Sequence, residues 1–310
     1  MIFNSPFSLF NNIGNAKIIF VQDFLLSDLI GGAELSMNAL HESAPSDITF
    51  KVIRSNEIGF EHLEFGKNSH WVFGNFVHIN PQILYQLSKS QISYSVYEHD
   101  YKFCRWRSVE RHHIEGGEMC NCANQEWGKL IEEFYKNAQH IWFCSIGQQE
   151  RYYSYLPNLK KYQQNHTILS AVFGEDFFRT IVPLIQSLPA RKKKGWLALN
   201  SESWIKGTRE AESWLRENNK DYYLLKNLKP HEVLEAFANA EGFVCLPRGA
   251  DVSNRMVTEA KILGCQVIVN ENVQHASENW LQNSDLNYTL NWLYGRRTVF
   301  WDQVRKMVKV

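Results

Sequence analysis

Short apolar runs alternate along the chain with segments whose apolar positions recur at helical spacing, the pattern of a parallel α/β protein. The runs KIIFVQD (17–23), TFKVIRS (49–55), HWVFGNF (70–76), SYSVYEHD (93–100), HIWFCS (140–145) and TILSAVF (167–173) predict six buried strands. Helices are predicted over 34–43, 81–90, 128–137 and 147–155, with Pro81 opening the second of them. The style then repeats: strands over 195–200, 221–225, 242–247 and 265–270, and helices over 207–219, 231–240 and 253–263. A mixed polar–apolar helix is expected over 286–309, and a long segment, 101–127, reads as irregular. Residues 174–194 hold a helix and the basic run Lys192-Lys193-Lys194, read as solvated surface. A domain boundary is placed near 174, giving an N-terminal domain over 1–174 and a C-terminal domain over 175–310 whose last helix is free to cross back. Two doubly wound domains in tandem, with a cleft between the carboxyl ends of their strands, is the architecture this implies.

A length of 310 residues suits two such domains, since a single core stops growing near 250–300 residues. The 33 basic and 33 acidic residues cancel, so no global field favours nucleic acid or an anionic membrane. The start MIFNSPFSLF lacks the basic n-region and long apolar stretch of a leader, and no run approaches the roughly 18 apolar residues of a membrane span. The expectation is a soluble, cytoplasmic protein with no integral membrane association, whose six cysteines are free thiols.

Three stretches carry candidate chemistry. Gly31-Gly32, after the first strand and before a helix, lets backbone approach a ligand and offers helix N–H groups to an anion, although a plain tight turn reads the same way. Lys206, in Ser203-Trp204-Ile205-Lys206-Gly207, sits where a strand ends and a helix begins, a place for a diphosphate or for an ordinary loop lysine. The stretch 245–273 places Asp251 in a loop and Glu259 about two helical turns on, with Arg248 and Arg255 beside them and Ser253-Asn254-Arg255 at the helix start. Two carboxylates flanking a phosphate-binding helix N-terminus suit sugar hydroxyls, while a capping aspartate and a surface glutamate form the plainer alternative. There is no G-x-G-x-x-G and no P-loop lysine motif.

Taken in order, GGAE after the first strand, His99 at the end of the fourth, Lys206-Gly207 after the first strand of the second half, and Asp251-x7-Glu259 followed by Ala-Lys-Ile-Leu-Gly-Cys resemble the retaining GT-B glycosyltransferases of family-four type. The resemblance spans nearly the whole chain. It implies a GT-B fold, two Rossmann-like doubly wound domains facing a central cleft, and transfer from a UDP- or GDP-sugar with retention and without a metal or other cofactor. It implies that Glu259 holds the nucleotide ribose and Asp251 contacts the donor sugar. Lys206, with Arg255 or Arg248, neutralises the diphosphate, facing the Gly31 and Gly32 amides and the helix start at Ser253 and Asn254. His99 lies beside the donor sugar and, ahead of Glu98 and Asp100, is the side chain expected to assist. The chain departs from the family pattern in having Asp251 where glutamate is usual, in lacking an arginine shortly before Lys206, and in its trimmed length.

The acceptor stays open between a glycan, a lipid-linked sugar, a protein and modified DNA of the hydroxymethylated kind that compact viral enzymes of this fold glycosylate. A non-catalytic nucleotide- or glycan-binding domain and a sugar epimerase are the competing classes. The 101–127 segment, with Arg105, Trp106, Arg107 and Arg111, is expected to face the acceptor, because long loops in compact folds are usually functional. It also holds Cys104, Cys120 and Cys122 near His99, His112 and His113, residue types that bind zinc. The C-x-C spacing is poor for a zinc knuckle, so the expectation is ordinary buried or free thiols and no metal. Trp280 is read as packing a helix end rather than lining a base site.

Overall fold

The computed structural model describes residues 16–308, so the reading of the first fifteen residues falls outside the described residues. Among the described residues the strands form two wholly parallel sheets. The first contains β1 (Ile18–Gln22), β2 (Phe50–Arg54), β3 (His70–Phe73), β4 (Tyr94–Glu98), β5 (Ile141–Phe143) and β6 (His166–Ile168), in spatial order β2-β1-β3-β4-β5-β6. The second contains β7 (Trp196–Leu199), β8 (Tyr222–Leu225), β9 (Gly242–Cys245) and β10 (Gln266–Val269), in order β10-β9-β7-β8. Both sheets begin with the same doubly wound order, so each reverses direction beside its own first strand. That places one crevice between β1 and β3 and another between β7 and β9.

Every strand expected from the apolar runs is present, and each is shorter than its run. The largest trim is in the last run of the first half, which pairs only over His166–Ile168. Beyond it the chain turns through Ser170, which adopts a positive φ of 66°.

Both faces of the first sheet are covered. Trp71, Phe73, Tyr94 and Phe134 pack on one side, and Phe20, Val72 and Trp142 on the other. The helix Leu286–Met307 supplies part of that second side. Leu293, Phe300, Trp301 and Val304 recur at i, i+7, i+8 and i+11, and the last three enter the same cluster as Phe20 and Trp142. Trp301 Nε1 donates to the Leu40 carbonyl at 3.2 Å, so this C-terminal helix is fastened to the N-terminal sheet.

The 101–127 segment departs from expectation. It contains a helix, Val109–Gly116, whose N-cap Ser108 accepts from Arg111 N and which ends at Gly117 with φ 70°. The Ser-x-x-Arg start and the trailing glycine were the available signals, masked by the polar content of the helix. Its arginines are not a free cationic patch. Arg107 pairs with Asp100 and lies 3.7 Å from Asp23, Arg111 pairs with Glu115 at 3.1 Å, and Arg105 lies 3.8 Å from Glu118. Acids within or close to the segment, and Asp23 beyond it, neutralise the charges expected to face the acceptor. Nor are its thiols scattered: Cys104, Cys120 and Cys122 converge on His112, while His113 is exposed and His99 lies elsewhere.

Candidate active-site cleft

A cleft of about 450 Å³ opens between the carboxyl ends of the two sheets. Its walls come from the residues that follow β4, β5, β7, β8 and β9, and from the start of the helix Gly32–Glu42. Gly31, Gly32, His99, Lys206, Asp251, Ser253, Asn254, Arg255 and Glu259 all line it. Arg248 is the exception among the ten residues singled out. Its guanidinium lies 3.1 Å from Glu210 and stacks on Trp204, turned away from the cleft by a partner on the neighbouring helix.

The 206 and 251 loops leave β7 and β9, the two strands flanking the direction reversal of the second sheet, which is why their side chains meet. Lys206 Nζ donates to Asp251 Oδ2 at 2.9 Å, and Asn254 Nδ2 donates to the same oxygen at 2.7 Å. Asp251 is 9% exposed. Burial pushes its carboxyl up, but the charge and hydrogen bond of Lys206, helped by Asn254, outweigh burial and hold it below the usual carboxylate range. Lys206 is in turn raised by Asp251, and about a third of its side chain remains accessible. Backbone fixes the aspartate from the other side, since Asp251 N donates to Asn272 O at 2.7 Å and Gln274 N donates to Asp251 O at 3.1 Å.

Gly207 makes the Lys206 turn possible. Its φ is 63°, and a Cβ there would collide with the Leu246 carbonyl. Asn254 is occupied twice, for its Oδ1 also caps the helix Arg255–Ile262 by accepting from Val257 N at 3.1 Å. Ser253 Oγ accepts from Ala171 N at 3.1 Å, so its hydroxyl ties the second domain to the first.

Arg255 and Glu259 form the inner end of the cleft. Arg255 donates to the Val172 carbonyl at 2.7 Å and lies over the Phe173 ring at 3.9 Å, holding its charge beside the loop after β6. Its guanidinium is 4.0 Å from the Glu259 carboxylate, one helical turn on. That attraction is too weak to offset burial, and the Glu259 carboxyl is pushed up to about 7. Opposite them, the aliphatic stem of Arg255 comes within 3.7 Å of where a Gly32 side chain would begin, so the two domains approach closely at the glycine. Gly31 is the N-cap of the helix Gly32–Glu42 and offers no side-chain cap of its own.

His99 lines the cleft as a neutral imidazole. Burial, with the positive charges of Lys102 and Arg107, holds it well below the ordinary histidine range. Its Nδ1 lies 3.7 Å from Cys144 Sγ, and its Nε2 has no hydrogen-bond partner. The other two acid–base candidates are committed to structure. Glu98 is fully buried against Lys102 at 3.0 Å, Tyr152 at 2.7 Å and Tyr135, and Asp100 pairs with Lys102 and Arg107. Trp280 stacks on Trp292 at 4.3 Å and does not line the cleft.

Sequence reasoning missed the apolar wall of the C-terminal side, built by Leu199, Leu225, Leu228, Pro230, Val233 and Met256. Leu199 and Leu225 end their strands, Leu228 and Pro230 follow β8, and the others lie on helices, so only the sheet order puts them together. Leu228 is exposed, at 42%, beside Asn227 with φ 55°.

No family model matches the chain. No curated protein matches it in sequence. Among solved structures, a UDP-forming α,α-trehalose-phosphate synthase of Burkholderia xenovorans superposes with TM-score 0.51 at 8% identity, over 95% of this chain and 100% of that one. A trehalose-6-phosphate protein of E. coli bound with UDP-2-fluoro glucose superposes with TM-score 0.50 at 8% identity, over 93% and 95% of the two chains. At such identity the likeness concerns fold alone. The fold is GT-B: two Rossmann-like domains that face one another across the cleft. Among the described residues, no helix is long and apolar enough to cross a membrane.

Proposed function

We propose that the chain is a glycosyltransferase that moves a sugar from a nucleotide-diphosphate donor, a UDP- or GDP-sugar, to an acceptor hydroxyl with retention of configuration. The supporting observation is that a helix N-terminus at Gly31-Gly32, the cations Lys206 and Arg255, and the acids Asp251 and Glu259 share one cleft at the carboxyl ends of both sheets. Two cations and a helix start supply the field a leaving diphosphate needs as it gains charge, with no metal ion required in that step.

In this reading the Lys206–Asp251 pair is a resting state. The donor diphosphate takes over Lys206, and Asp251, kept ionised, accepts from a hydroxyl of the transferred sugar. Glu259 accepts from the ribose hydroxyls at the inner end, and the leucine wall with Pro230 and Met256 packs the base. The anomeric carbon–phosphate oxygen bond breaks while the bond to the acceptor oxygen forms on the same face. The acceptor proton passes to the leaving diphosphate oxygen. His99, a neutral imidazole lining the cleft, borders the donor sugar without supplying a proton. Soluble glycans, lipid-linked sugars, proteins and modified DNA all remain acceptors to be screened, and a cytoplasmic setting belongs to the same reading.

UDP-glucose is the first donor to test, because an E. coli protein of this fold is bound with UDP-2-fluoro glucose. Calorimetry against a panel of UDP- and GDP-sugars is expected to find one that binds, with affinity lost in Lys206→Ala and Glu259→Ala. Release of nucleoside diphosphate then separates turnover from binding alone. No binding by any donor, or undiminished binding by both variants, refutes the assignment. Conversion of the donor without acceptor would instead indicate an epimerase.

A further inference from the structure

The segment between β4 and the helix Glu126–Lys136 carries a second cluster of chemistry that the cleft does not use. Cys104 follows β4, His112 lies inside the helix Val109–Gly116, and Cys120 and Cys122 follow that helix. One ligand atom from each of the four lies within 4.8 Å of every other. Cys104 Sγ is 3.6 Å from His112 Nδ1, Cys122 Sγ is 3.4 Å from the same nitrogen, and Cys120 Sγ is 3.6 Å from Cys104 Sγ.

A zinc ion at about 2.3 Å from sulfur and about 2.0–2.1 Å from nitrogen sets the edges of its tetrahedron at roughly 3.5–3.8 Å. Two of the three edges, at 3.6 Å, fall in that range and the third, at 3.4 Å, is just short of it, and none is a disulfide, since all six cysteines are free. Three thiols closing on one imidazole nitrogen is a donor set that soft thiolate chemistry assigns to zinc.

The surroundings point the same way. With Nδ1 facing the sulfurs, His112 turns its Nε2 toward Glu118, whose carboxylate is 3.5 Å away, within ion-pair reach but not hydrogen-bonded. A carboxylate behind a ligating imidazole is the usual support for a zinc histidine.

We propose that Cys104, His112, Cys120 and Cys122 hold one structural zinc ion. Binding converts three thiols to thiolates and releases three protons, leaving a complex of net charge −1. Four protein ligands fill the coordination sphere, so the ion has no open position for chemistry. Its role is to hold the helix Val109–Gly116. From that helix Glu110 pairs with Arg151 and accepts from Ala250 N at 3.3 Å, the residue before Asp251. The site therefore braces a donor-side loop of one domain from the other. The C-x-C pair was set aside on spacing alone, but the fold lets both sulfurs reach one centre because His112 and Cys104 approach from the opposite side.

The test is metal analysis by mass spectrometry on the full chain, purified without a metal-binding tag or chelator. One zinc per chain is expected. Replacement by Co²⁺ is expected to give thiolate-to-cobalt charge-transfer bands and tetrahedral d–d bands. Cys120→Ser and His112→Ala are expected to lose the zinc, and Cys265→Ser, at a buried cysteine outside the cluster, to keep it. If those variants do not fold, the wild-type metal content and cobalt spectrum decide alone. Substoichiometric zinc with freely reactive native thiols, a Cys104–Cys120 disulfide in the isolated protein, or zinc retained by the cluster variants overturns the proposal. None of these readouts depends on whether a nucleotide-sugar binds.

Discussion

Glu259→Gln removes a carboxyl that the fold holds about half protonated at neutrality, and the consequence for stability has a definite sign. In the unfolded chain the group titrates near 4.5, and in the folded protein near 7, because burial outweighs the attraction of Arg255 at 4.0 Å. Between those two pH values the folded state keeps a proton that the unfolded state has released. Stability contributed by this group is therefore complete below about 4.5, falls as pH rises, and is exhausted above about 7. At about 1.4 kcal/mol per pH unit, moving a carboxyl from 4.5 to about 7 corresponds to about 3 kcal/mol. Glutamine has nearly the same shape and no titration, so it lacks that loss. Urea unfolding of both proteins from pH 5 to pH 8 measures the effect, and every other titrating group cancels in the difference between them. The variant is expected to gain about 2–3 kcal/mol on the wild type across that range. Curves that run parallel from pH 5 to pH 8 would refute the reasoning. Ligand binding gives an independent check. If ribose hydroxyls need the ionised carboxylate, donor affinity of the wild type rises as pH passes through about 7, and the variant shows no such rise.

Lys206→Ala leaves the Asp251 carboxylate buried with only Asn254 as partner, and a loss of about 2–4 kcal/mol in unfolding free energy is expected. Asp251→Asn is expected to lower transfer about a hundredfold or more while changing nucleotide affinity far less, read as kcat against the Kd of the nucleoside diphosphate. An equal loss in both would move Asp251 from the sugar to the nucleotide. Gly207→Ala forces a Cβ into the Leu246 carbonyl at a φ of 63°, so thermal melting is expected to fall and donor binding to weaken with it. A variant that melts and binds like the wild type would show that the turn relaxes freely.

The α/β alternation was legible because a strand buried on both faces has to be a short apolar run. β1 is buried at every position, and KIIFVQD announces it. The site was legible for a related reason. Loops at strand ends that carry Gly31-Gly32, Lys206 and Asp251 are where a doubly wound sheet exposes chemistry, so residue type and position along the chain sufficed to nominate them. Arg248 failed that logic, because nothing local distinguishes an arginine facing the cleft from one captured by Glu210. The helix Val109–Gly116 was missed for want of an apolar stripe, since only His112 on it is buried and it is held by contacts beyond itself.

By itself, then, the sequence determined the strands, the two-part repetition and the loops that bear glycine, lysine and acid, since these depend on patterns only a few residues long. Tertiary structure decided everything that depends on strand order. It set β7 beside β9, so that Lys206 neutralises Asp251 across 45 positions of chain. It largely buried Glu259 at the inner end of the cleft and so moved its titration to about 7. It also gathered Cys104, His112, Cys120 and Cys122 around one point. Distance, burial and charge pairing between remote segments are properties of the packed chain, and no local pattern encodes them.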